Sequence, residues 1–127
     1  MLDLANVPIL RTERKLDDPF ILVGGPCAYN VEPMADFVDI VVLGEGEEVN
    51  LEILNAYKEW KKNKTTREDF LYQISSIEGV YIPSFYDVTY NEDNTVKEVV
   101  PNRENIPSKP HKRIIKDVEN VPYPEKL

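Results

Sequence analysis

Two short apolar runs, each ending in glycine, organise the first third of the chain. Phe20-Ile21-Leu22-Val23 runs into Gly24-Gly25-Pro26, and Ile40-Val41-Val42-Leu43 runs into Gly44-Glu45-Gly46-Glu47-Glu48. Neither run alternates with polar residues, which predicts strands buried on both faces, as in a parallel sheet. Glycines directly after such strands bring backbone without side-chain bulk to one sheet edge, and ligands of open α/β sheets bind at that carboxyl edge. Gly24, Gly25, Pro26, Gly44, Glu45 and Gly46 are therefore the candidate cofactor-binding residues.

The remaining pattern supplies the flanking elements. Asn30 to Phe37 predicts a short helix with Pro33 in its first turn, where a missing N–H costs nothing. From Glu47 to about Asn63, Val49, Leu51, Ile53, Leu54, Tyr57 and Trp60 mostly follow helical spacing, with glutamates in the first turn and Lys61 and Lys62 in the last, as the helix dipole favours. A second helix follows Thr66, an N-cap with Asp69 three residues on, and its stripe Phe70, Leu71, Ile74 and Ile77 stops at Gly79. The period then becomes two. Val80, Ile82, Tyr86, Val88 and Tyr90 broadly share a face, and Asn91-Glu92-Asp93-Asn94 turns the chain into a return strand from Thr95 to Val100, a β-hairpin. At the start, Leu2, Leu4 and Ala5 read as the end of a helix stopped by Pro8, and Arg11 to Asp18 as a surface connection. After Pro101 the tail is polar and punctuated by Pro107, Pro110, Pro122 and Pro124. Its one apolar pair, Ile114-Ile115, cannot build a core, so the tail reads as a loosely docked linker.

Composition narrows the function classes. The 127 residues, 42% hydrophobic and 30% charged, suit one globular domain. A formal net charge of -8 argues against nucleic acid, whose binding relies on Lys and Arg replacing phosphate counterions. The basic patch Lys109, His111, Lys112, Arg113 and Lys116 lacks interleaved aromatics and reads as a solvated linker or a docking surface. No apolar run approaches the roughly 20 residues of a membrane span, and no signal peptide is visible. With Cys27 alone, no intrachain disulfide can form, so the expected compartment is the cytoplasm, with no membrane association.

Gly44-Glu45-Gly46-Glu47-Glu48-Val49 opens like a dinucleotide fingerprint but departs from it. Val49 stands at the third glycine position, and Lys64 and Thr65 stand where a strand-ending acid belongs. Three glutamates would also repel a pyrophosphate by about 1 kcal/mol or more. Glycines that make the turn and glutamates that cap the helix are the preferred reading over direct ligand contact. Gly24-Gly25-Pro26 either lets a flat or bulky ligand lie against the backbone or simply makes a tight strand exit. Cys27 beside it has no nearby base, and the only histidine, His111, lies in the tail; a cluster would need several thiolates. Cys27 therefore reads as a small packing residue, and no catalytic or metal-ligating residue is assigned.

At these residues the chain resembles a known family. GGPCAYNVEPMADF, VDIVVLGEGEEV, EGVYIPSFYDVTYNEDNTVKEVVPN and the approach to VENVPYPEKL are similar, over nearly the whole chain, to the N-terminal region of a group of bacterial radical SAM proteins. In that group, of iron–sulfur oxidoreductase type, a cobalamin-binding-like domain precedes the catalytic barrel. The resemblance implies a parent enzyme that uses a [4Fe-4S] cluster and S-adenosylmethionine, with cobalamin as a further cofactor. It also implies that the C-x-x-x-C-x-x-C cluster motif follows the position of Leu127, since Cys27 matches none of it. The D-x-H-x-x-G loop that supplies a lower histidine ligand in one class of cobalamin domains is absent. A bound corrinoid would then rest on the backbone of Gly24 and Gly25.

The expectation is an α/β fold, a partial flavodoxin-like or cobalamin-binding-like parallel sheet with flanking helices over residues 1–79, a β-hairpin over 80–101 and a linker over 102–127 towards a radical SAM domain. On this reading the chain is a non-catalytic fragment of a radical SAM iron–sulfur oxidoreductase, an accessory or substrate- or cobalamin-presenting domain. Its expected partner is the remainder of its own polypeptide, with self-association where Val23 and Val41 would otherwise lack cover. The alternatives are a module binding a nucleotide or other small ligand at the glycine edge, and a protein-interaction domain.

Overall fold

Strand β2 (Ile40–Val42) carries apolar side chains towards both faces, and all three residues are buried, Val41 completely. It is the middle strand of a three-stranded sheet in the computed structural model, which describes residues 1–63, 65–117 and 119. β1 (Leu22–Val23) pairs with it in parallel, Leu22 opposite Ile40 and Val23 opposite Val41. β3 (Val80–Tyr81) pairs antiparallel on its other side, Val42 opposite Val80. The expected parallel pair is present, the sheet is mixed, and Val41 has full cover within the chain.

Val80 and Tyr81 do not join the hairpin. Both are buried, which suits a sheet covered by helices better than a ribbon with one wet face. A single 3-10 turn, Pro83–Phe85, separates them from the hairpin, which consists of β4 (Tyr86–Tyr90) and β5 (Val96–Pro101). Its turn lies where the polar run predicts, with Asn94 left-handed at φ 63°.

Helix α1 (Gly46–Asn63) buries Val49, Ile53 and Trp60, one stripe at helical spacing, while Leu51 and Leu54 are 46% and 52% exposed. The stripe is thus narrower than the apolar count suggests. Helix α2 (Arg67–Ile74) starts in a full capping box: the Thr66 side chain accepts from the Asp69 N–H, and the Asp69 carboxylate accepts from the Thr66 N–H. The Thr66 hydroxyl, which also donates to that carboxylate at 2.7 Å, and then the Thr66 N–H hold the Asp69 carboxyl below its ordinary range. Phe20, at the entrance to β1, joins both helices through an aromatic cluster, with ring centroids 5.4 Å from Trp60 and 4.7 Å from Phe70. The Trp60 indole N–H donates to the Thr66 carbonyl at 2.9 Å, so no polar group is left unpaired in this contact.

Two expectations near the strands are corrected. The segment 30–37 is not a helix but follows two 3-10 turns, Pro26–Asn30 and Glu32–Met34, each with proline near its start. A proline fits only the first turn, so two of them this close divide the segment. Arg11 to Asp18 is also more than a surface connection, because the Arg14 side chain is fully buried. Its Nη1 lies 2.7 Å from Oδ2 of Asp39, the buried residue just before β2, and its other nitrogens donate to the carbonyls of Pro8, Ile9 and Phe37. Asp39 further accepts the Ile21 N–H at 2.7 Å and lies 3.4 Å from Arg67 Nη2. The amino ends of β1 and β2 are thereby tied to α2. No helix among the described residues is long and apolar enough to cross a membrane.

Candidate functional site at the glycine edge

The parallel register brings both glycine loops to one edge. A Cβ on Gly24 would stand 3.6 Å from Val42 Cβ, an ordinary contact, so the first glycine marks where β1 leaves β2 rather than a forbidden conformation. Gly25 differs: its φ of 96° and ψ of 179° lie in a region essentially restricted to glycine. No atom lies within 4 Å of where its Cβ would stand, which leaves this peptide open. Pro26 then begins the 3-10 turn. Cys27 follows and is exposed, not packed; Ala28 takes the buried position of that turn.

The second loop is closed. Leu43 donates its N–H to Gly79 at 2.7 Å, and its carbonyl accepts the Arg113 N–H at 2.8 Å. The Glu45 N–H in turn donates to the Arg113 carbonyl at 3.3 Å, so Gly44 and Arg113 form a parallel bridge. Gly44 has φ 100°, and a side chain there would collide with the Arg113 backbone; one on Gly79 would meet Arg113 Cβ at 2.8 Å. Glycine is required at both positions by this close approach. Gly46 opens α1, where a Cβ would press on Asn50 Nδ2 at 2.9 Å.

Side chains fasten the same strap. The Arg113 guanidinium donates to Glu48 at 3.1 and 2.7 Å and to Glu52 at 2.8 Å, while the Ile115 N–H donates to the Glu45 carboxylate. The hydrogen bonds with Glu48 lead in raising the Arg113 pKa, with the charges of Glu52 and Glu48 in support. The tail therefore docks specifically, not loosely. Further back, Tyr86 donates its hydroxyl to the Pro107 carbonyl at 2.7 Å, and Ile106 is buried.

Of the candidates, Gly24, Gly25 and Pro26 form an open rim, whereas Gly44 and Glu45 hold the chain's own segment 113–115. Local pattern assigns no site role to Glu52 or Gly79, and to Arg113 only a place in the basic patch. A signal was present: Glu48 and Glu52 stand one helical turn apart, and Arg113 sits in the basic patch. Nothing local links the two, since 61 residues separate Arg113 from Glu52. Tyr81 on β3 donates its hydroxyl to Glu32, in the second of the two 3-10 turns that follow Gly25; burial first, and this hydrogen bond second, push its pKa well above the ordinary tyrosine value. Among the described residues no three His, Cys, Asp or Glu side chains gather as a metal site.

Residues 1–83 match the family model described as radical SAM proteins, N-terminal. No curated protein and no solved structure matches the chain.

Proposed function

The chain belongs to the radical SAM N-terminal family, and from that membership we propose that it is a non-catalytic accessory domain that orients the catalytic domain of a radical SAM iron–sulfur oxidoreductase. The family's chemistry implies a [4Fe-4S] cluster and S-adenosylmethionine in the parent protein. The residues here do not fit the cluster, which needs several thiolates; the chain has one, the exposed Cys27. No step of radical chemistry is assigned to this chain. A single free thiol on the surface suits a reducing compartment such as the cytoplasm.

The observation that carries the proposal is the bridge between Gly44 and Arg113. A segment strapped to the sheet edge by two backbone hydrogen bonds, Arg113 N–H to Leu43 and Glu45 N–H to Arg113, and by an arginine shared between two glutamates, transmits the orientation of the sheet to whatever follows it. A flexible linker would transmit none. The catalytic domain of the same polypeptide is the partner on this reading.

Replacing both glutamates (Glu48→Gln with Glu52→Gln) tests it. The Arg113 and Ile115 amides should exchange with solvent faster, while those of β2 and β3 keep their protection. Unchanged protection at Arg113 would show that the strap does not depend on these charges, and the orienting role would fall.

The open peptide at Gly25 favours a second role on the same edge, presentation of cobalamin or another flat ligand against the Gly24-Gly25 backbone. Absorption spectroscopy with cobalamin decides it: a spectral change that Gly25→Val removes supports presentation, and an unchanged spectrum discards it.

A further inference from the structure

Four of the five arginines in the chain, Arg11, Arg14, Arg67 and Arg103, line one cleft of about 340 Å³. The cleft lies beside Asp39, at the amino end of β2, and so at the end of the sheet opposite the glycine edge. Only two carboxylates, Asp39 and Glu68, share the lining, which leaves an excess of two positive charges in a chain whose formal net charge is -8. Like charges repel, and such a concentration in an acidic chain is costly unless something anionic offsets it.

The four guanidinium groups divide into two kinds. Arg14 and Arg67 are spent on structure. Arg14 is used up by Asp39 and three carbonyls, and both terminal nitrogens of Arg67 are taken by Asp39 and the carbonyls of Lys15, Asp18 and Pro19, with its guanidinium carbon 3.8 Å from the Phe20 ring centroid. They form the anchored floor of the cleft. Arg11 and Arg103 are each held at one point with donors left over. Arg11 donates through Nε to the Ala35 carbonyl at 3.0 Å, and its two terminal nitrogens have no partner among the described residues. Arg103 gives one terminal nitrogen to Glu68 and rests 4.8 Å from the Phe85 ring centroid, leaving Nε and its other terminal nitrogen. The Ser84 hydroxyl, also in the lining, has no partner among the described residues.

We propose that this cleft binds the phosphate group of a small phosphorylated ligand, with Arg11 and Arg103 as its guanidinium forks and Ser84 as its hydroxyl donor. Guanidinium groups suit planar, bidentate recognition of oxyanions, and anchoring each by one nitrogen removes much of the ordering cost of binding. The excess of two charges matches a phosphate monoester at neutral pH, which carries about -1.5 to -2, better than a single carboxylate. The volume lies near the lower end of the roughly 300 to 1,000 Å³ of small-molecule pockets, so the ligand is compact. This site is independent of the accessory role proposed above.

Inorganic phosphate is the probe, titrated at constant ionic strength and followed by nuclear magnetic resonance. Saturable shifts are expected at the Arg11 and Arg103 Nε–H and the Ser84 amide, with Gly25 and Gly44 unmoved. Arg11→Gln with Arg103→Gln should weaken binding by about tenfold or more, and Ser84→Ala, which disturbs no ion pair, several-fold. Lys97→Gln removes a positive charge outside the cleft lining and should change little. Shifts that do not saturate, or equal weakening by Lys97→Gln, would reduce the effect to general charge attraction and overturn the proposal. Tighter binding of an oligoglutamate peptide than of phosphate at matched ionic strength would overturn it in favour of a protein partner.

Discussion

At the carboxyl ends of β1 and β2 the molecule relies on backbone: glycines without side chains, positive φ at Gly25 and Gly44, and a strap laid against them. At the amino ends of the same strands it relies on side chains, with Arg14 and Arg67 closing on the buried Asp39. The two ends tolerate change differently. The glycine edge gives way only where an added atom meets backbone, as at Gly44, or where the φ is positive, and such losses are local. A buried ion network accepts small changes of shape, yet it fails together when one charge is removed, because the partners are left unpaired in a dry place.

The largest expected effect follows at the amino end. Asp39→Ala should destabilise the fold by about 3 to 5 kcal/mol, because Arg14 keeps its charge in a fully buried position. Denaturant unfolding followed by tryptophan fluorescence at Trp60 measures it. A loss below about 1 kcal/mol, the value of an ordinary hydrogen bond, would mean that the network is solvated and the comparison fails.

Next comes alkaline pH, which should act through Tyr81 on β3, outside the ion network. The folded-state pKa of Tyr81 is raised, so its contribution is fully present below the ordinary tyrosine value of about 10 and is lost as pH rises above it, since the unfolded chain ionises first. The slope should be at most about 1.4 kcal/mol per pH unit. Tyr81→Phe should flatten it, leaving the smaller share of Tyr86, whose pKa burial also raises. An unaltered slope in Tyr81→Phe would move the pH sensitivity away from the contact between Tyr81 and Glu32.

The smallest pair of effects separates the two glycines of the first loop. Gly25→Ala should cost about 1 kcal/mol, from its backbone conformation alone, since the space around it is empty. Gly24→Ala should stay within about 0.5 kcal/mol, because its Cβ would make ordinary contacts with Val42. Melting temperatures compare them directly. Equal shifts would show that the conformation at Gly25 is not what the loop requires.

Strand, helix and turn signals that repeat over a few residues were legible in the chain itself. The apolar runs Phe20 to Val23 and Ile40 to Leu43, which contain β1 and β2, the stripe Val49, Ile53 and Trp60, the Thr66 cap with Asp69 and the turn at Asn91 to Asn94 all stand where local chemistry puts them. The glycine edge was legible for the same reason, since strand and loop are contiguous. Choices between distant partners were settled by packing alone. Val80 and Tyr81 have an alternating pattern that suits a hairpin or a central sheet equally well, and burial beside β2 selected the sheet. Arg14 and Asp39 are 25 positions apart, and Arg113 and Glu48 are 65 apart. A charged residue reads as surface until the fold places its opposite beside it, because the sequence carries the charge but not the distance on which its energy depends.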